Sequence, residues 1–146
     1  MSTKLIAPFD PIPETVADAV AAWDRGDSVV TVEMGGMGPG YEQCIHIAAF
    51  EIMRVWDGKF PTGEHWADDL GKDRAEELNA IADAEIKKLN YLGFSGAQVG
   101  AAKSLASCVC RRGYRAAMRE EEVKDRLIQV SKNFPRAEAE TIGGAS

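Results

Sequence analysis

Apolar residues recur along most of this chain at helical spacing, and the places where that spacing fails mark the turns. Val16, Ala19, Val20 and Trp23 fall at i, i+3, i+4 and i+7, the stripe of an amphipathic helix. Pro13 suits its first turn, Glu14 complements its dipole and Gly26 closes it. Ser28 to Met34 reads SVVTVEM, β-branched and too short for a helix, which makes it the best strand in the chain. A strand needs a neighbour. Two are on offer: the proline-rich arm, where Lys4 to Phe9 is able to pair, or the same strand of a second copy.

The strongest pattern runs from Tyr41 to Asp57. Tyr41, Cys44, Ile45, Ala48, Ile52, Val55 and Trp56 form a nearly ideal core stripe, and Ile47, Phe50 and Met53 add apolar groups on the other side. This helix is predicted to be central and covered on more than one face. A turn over 58–63 leads to a short helical piece containing His65 and Trp66, followed by a helix from about Asp73 to Leu92. Asp73 and Glu76 resemble a capping pair, Ala75, Leu78, Ala82, Leu89 and Leu92 supply the seam, and Gly93 ends it.

Ser95 with Gln98 is a better capping box and opens a helix through Arg112. On that helix Gly96, Gly100, Ser104 and Cys108 stand four apart, a nearly bare face that lets another helix approach closely. Gly113 breaks or kinks it, and Tyr114 to Arg119 resume. Glu120, Glu121 and Glu122 then start a last helix whose Val123, Leu127, Val130 and Phe134 face inward. The expected fold is mainly α: one compact domain of five to six helices over 1–135, with an extended arm (1–13) and one short β-strand or hairpin near the N-terminus. A flexible tail over 136–146 follows.

Composition agrees with a packed domain. Of 146 residues, 45% are hydrophobic and 27% charged, ordinary globular usage that argues against wholesale disorder. The apolar stretches are too short to span a bilayer, and Met1 to Pro8 lacks the pattern of a secretory signal. Cys44, Cys108 and Cys110 are an odd set, pointing to free thiols and a cytoplasmic location. Cys108-Val-Cys110 is not a CxxC pair, and only His46 and His65 remain to complete a ligand set, so neither a metal nor a cofactor is expected.

The formal charge is −6, which excludes nucleic-acid binding through bulk charge. Yet Ile86 to Arg119 contains no acidic residue, while Lys87, Lys88, Lys103, Arg111, Arg112, Arg115 and Arg119 are all basic. A basic segment in an acidic molecule meets either an anion, an acidic partner, or simply solvent.

Gly35-Gly36-Met37-Gly38-Pro39-Gly40 lies between the strand and the central helix, the arrangement that turns backbone N–H groups and a positive helix end toward an anion. Gly-Lys-Ser/Thr is missing and the spacing is not GxGxxG, so the nucleotide-loop signatures are excluded. Glu33 and Glu42 bracket the loop and oppose an anion there. A tight structural turn is the alternative.

Glu42 and His46, four apart, share a helix face with Arg54 and Asp57 further round. They suit general acid–base work or, more simply, a surface pair. Glu51 lies at the edge of the apolar stripe. No GxSxG, HExxH or paired CxxC occurs.

The run Gly38-Pro39-Gly40-Tyr41-Glu42-Gln43 with the apolar helix after it (38–56) resembles stretches in small accessory proteins of tailed bacteriophages and related prophages. That resemblance implies an accessory protein acting on host or phage components and transfers no catalytic residue. The function expected is that of a small intracellular, non-enzymatic binding protein and homo-oligomer, holding an anionic small molecule or an acidic protein surface. Its expected ligand-binding residues are Gly35, Gly36, Gly38, Gly40, Tyr41, Lys103, Arg111 and Arg115. The rival is an enzyme acting on a nucleotide or phosphorylated small molecule at the Gly35–Gly40 loop.

Overall fold

The computed structural model describes residues 12–34, 38–56, 71–89, 93–118 and 126–133. Its elements are α1 (Val16–Asp24), β1 (Val29–Val32), α2 (Pro39–Trp56), α3 (Lys72–Lys87), α4 (Gly96–Arg112), α5 (Tyr114–Met118) and β2 (Leu127–Val130). The mainly helical fold with one short strand in its N-terminal part is as expected. Residues 1–11 of the arm, the Gly35 to Met37 part of the loop, the piece around His65 and Trp66, and the tail lie outside the described residues.

Local chemistry sets the helix starts. The Thr15 side chain accepts the Asp18 N–H at 3.0 Å, so α1 begins just after Pro13 and Glu14 rather than on them. The capping box at Ser95 is complete: its hydroxyl accepts the Gln98 N–H, and the Gln98 side chain accepts the Ser95 N–H. At α3 the expected capping pair is absent, because the helix starts at Lys72 from Gly71 without a side-chain cap and Asp73 stands inside the first turn. That helix also stops earlier than its seam suggested, at Lys87.

α2 is the axis of the core, packed by α4 most extensively and by α3 and α1 besides. Ile45, Ala48, Ile52 and Trp56 from one side, and Ile47, Phe50 and Met53 from the other, are all buried. Trp23 of α1 stacks on Phe50 with ring centroids 4.2 Å apart, and Tyr114 of α5 meets Phe50 from beyond at 6.1 Å. Every described element contributes to this one cluster. No helix among the described residues is long and apolar enough to cross a membrane.

The expected last helix is corrected at Leu127 to Val130. These residues form β2 and pair antiparallel with β1, Val29 opposite Val130 and Val32 opposite Leu127. Leu127 and Val130 are indeed buried, but against the strand. β1 therefore finds its partner near the other end of its own chain, and neither the arm nor a second copy is needed for that edge. The Glu33 N–H donates to the Arg126 carbonyl, so in the alternating ladder Thr31 and Ile128 exchange hydrogen bonds while Val30 faces away from β2. The outward Val30 carbonyl accepts the Tyr114 hydroxyl at 2.9 Å, which closes part of the free edge.

Gly113 separates α4 from α5 at φ 92° and ψ 154°, a backbone region essentially restricted to glycine. The break redirects the chain so that Tyr114 enters the core. The expected small-residue packing face of α4 is not used within the described residues. Gly96, Gly100 and Ser104 are exposed, and the space over the two glycines is open.

Candidate functional site

Lys103, Ser104, Ser107 and Arg111 recur at helical spacing on α4 and so share one side of it. Across from them α3 presents Asn79, and the Trp56 indole at the end of α2 forms the floor. Together these six residues line a cleft of about 300 Å³, at the small end of the range for ligand sites. Trp56 is fixed there because its indole N–H donates to the Leu78 carbonyl of α3 at 3.0 Å.

The polar groups have definite positions. Lys103 Nζ meets Asp83 Oδ1 of α3 at 2.6 Å, and the Asp83 side chain is 63% exposed. The Arg111 Nε–H donates to Ser107 Oγ at 3.3 Å, so the guanidinium folds back one turn along α4, the direction helical side chains favour. Two cations, two hydroxyls and an amide thus converge on one opening. This is a donor-rich lining suited to an anion.

The structure brings together only two of the expected ligand-binding residues, Lys103 and Arg111. Arg115 lies beyond the Gly113 break and donates to the Ile12 carbonyl at 2.6 Å, while its own N–H donates to the Glu14 carbonyl. Its geometry is that of a tie holding the segment ahead of α1. Gly38, Gly40 and Tyr41 stand at the opposite end of α2 from Trp56, about 22 Å away at the rise of an α-helix. Tyr41 offers its carbonyl to the Gln98 side chain at 3.3 Å. Gly35 and Gly36 lie outside the described residues.

At that far end the chain's own carboxylate takes a donor that an anion would need. Glu42 Oε1 accepts the Met34 N–H at 2.9 Å. Glu42 and His46 were expected as a surface pair, and both are instead buried, His46 completely. The cause is tertiary: their side of α2 is covered rather than solvated. His46 Nε2 approaches Glu42 Oε1 at 3.5 Å, long for a hydrogen bond, and neither imidazole nitrogen has a hydrogen-bond partner among the described residues. Burial pushes the His46 pKa below its ordinary value, against the upward pull of Glu42. Gln43 is buried as well and accepts the Ser131 N–H at 3.3 Å.

Glu51 is half-buried and, with Asp24 of α1, binds Arg54. Cys44, Cys108 and Cys110 form no disulfide and each is partly buried, with burial raising the pKa of Cys44.

Asn79, Ser104, Ser107 and Trp56 are the cleft residues that the sequence did not mark as ligand-binding. Lys103, Ser107 and Arg111 at i, i+4 and i+8 within an acid-free helix were the available signal. Asn79 and Trp56 carried none, since nothing local places α3 or the end of α2 beside α4. No protein-family model matches this chain, and neither a curated protein nor a solved structure does.

Proposed function

We propose that the protein is a small binding protein that holds an anionic ligand in the cleft between α3 and α4. The observation that carries this reading is the presence of Lys103 and Arg111 in one cleft with two serine hydroxyls and the Asn79 amide. A space of about 300 Å³ suits a small molecule better than the surface of an acidic protein. The accessory role implied by the phage-like segment over 38–56 is compatible with such a binding subunit.

The rival enzyme at the Gly35–Gly40 loop draws on Glu33, Glu42, His46 and Glu51. Glu42 and His46 are shut into the core and Glu51 is engaged with Arg54, so these three residues do not form an exposed acid–base pair.

A thermal-shift screen of phosphates, nucleotides and di- and tricarboxylates tests the reading, with neutral sugars as controls. A ligand at a hundred times its dissociation constant adds about 2.7 kcal/mol, and the gain should shrink with salt. Arg111→Gln should weaken any hit about tenfold, with a melting curve of the free variant checking that it folds. A screen in which no anion raises the melting temperature would end the proposal.

A further inference from the structure

The ion pair between Lys103 and Asp83 joins two helices. Arg25 with Asp27, Arg74 with Glu77 and Lys88 with Glu85 are pairs of near neighbours in the chain, whereas Lys103 of α4 meets Asp83 of α3, its Nζ 2.6 Å from Oδ1. Lys103 also lines the cleft. Asp83 stands four residues beyond the cleft-lining Asn79, so it comes to Lys103 from the same side of α3, one turn further on.

The two members are unequally solvated. The Lys103 side chain is 24% exposed and that of Asp83 63%. A cation on a largely covered side chain has lost part of its water and needs an anion beside it, whereas a carboxylate that stands mostly in water is fully rehydrated on leaving. An anion entering the cleft meets both conditions. Lys103 stays paired through the exchange, and Asp83 is the partner that water can take back.

Resting on the anion-binding reading above, we infer that Asp83 is an internal inhibitor of the cleft: its carboxylate occupies Lys103 in the free protein, and a bound anion takes its place. The contact leaves the cleft open and lowers its affinity by what the pair is worth. For a pair with one exposed member that is up to about fivefold, the equivalent of about 1 kcal/mol.

Calorimetric titration of the intact protein with inorganic phosphate and with citrate tests this. Asp83→Ala removes the carboxylate at an exposed position and introduces the best helix former, so the variant should fold, which a melting curve without ligand checks. It should bind whichever anion the wild type binds about fivefold more tightly. Glu76→Ala, which takes the same charge from an exposed position of the same helix, should change affinity less than twofold. Lys103→Gln should weaken binding, and Lys103→Gln with Asp83→Ala should bind no better than Lys103→Gln alone.

A gain that persists without Lys103, or one that Glu76→Ala matches, would overturn the inference, because the negative charge of α3 as a whole would then be responsible rather than the contact. Binding that Asp83→Ala leaves unchanged would overturn it as well and leave the anion-binding reading standing. Failure of both anions to bind either the wild type or Asp83→Ala would remove both.

Discussion

Glu42 and His46 show how much one turn of helix surface changes when it is covered. At i and i+4 they are neighbours on α2 wherever that helix lies. On a surface they would be an ordinary solvated pair, but in this core the carboxylate anchors Met34 and the imidazole has no hydrogen-bond partner among the described residues. A buried imidazole that is pushed toward its neutral form resists protonation. The unfolded chain has no such resistance and takes up a proton near pH 6.5.

As pH falls through that value the unfolded state gains a proton that the folded state refuses, so the contribution present above pH 6.5 is lost below it. The midpoint of urea unfolding should therefore drop between pH 7.5 and pH 5.5. His46→Gln should flatten that dependence even though it lowers stability overall. A wild-type midpoint that rises on acidification, or an identical slope in His46→Gln, would count against this assignment.

At the scale of elements the decisive pair is β1 and β2. Leu127 and Val130 are three apart and both buried, a spacing that fits a helix as readily as it fits a strand covered on both faces. Four residues cannot separate a period of 3.6 from a period of 2. Pairing with β1 separates them, because β1 itself, with Val29, Val30 and Thr31 all buried, needs a hydrogen-bonding neighbour inside the core.

The ladder register gives a direct check. Ile128 lies opposite Thr31 at a hydrogen-bonded position, so Ile128→Pro removes a ladder donor and should destabilise the fold by about 1–3 kcal/mol, the cost of a buried acceptor left without its partner. It should also release Val29 to Val32 to rapid amide exchange. If residues 127–130 were instead the middle of an isolated helix, the same substitution would leave the exchange of 29–32 unchanged.

For the whole molecule, the tertiary links that tie the N-terminal part to distant segments include β1 to β2 and Ile12 to Arg115. The first removes half of the case for self-association, since the strand that wanted a second copy is paired at home. The exposed small-residue face of α4, Gly96 and Gly100 with Ser104, is the feature on which the homo-oligomer expected from the sequence still rests. Light scattering at micromolar concentration should then give a dimer or larger species that Gly100→Arg returns to monomer mass. A wild-type monomer would withdraw the homo-oligomer and leave the ligand cleft untouched.

What the sequence determined by itself was local. Helical periodicity placed α1, α2 and α4, Gly113 announced the break after Arg112, and Ser95 with Gln98 announced the cap, because each signal is complete within a few residues. The acid-free stretch likewise marked Lys103 and Arg111 before any fold was known.

Tertiary structure decided the rest. It chose a strand over a helix for Leu127 to Val130, it put Glu42 and His46 inside, and it set Asn79, Asp83 and Trp56 beside the basic side of α4. It also parted Arg115 from Arg111 and set the start of α2 apart from the cleft at its end. The physical reason is the same in each case. Which side of an element meets solvent, and what faces it across a cleft, depends on elements tens of residues away, and no local pattern carries their position.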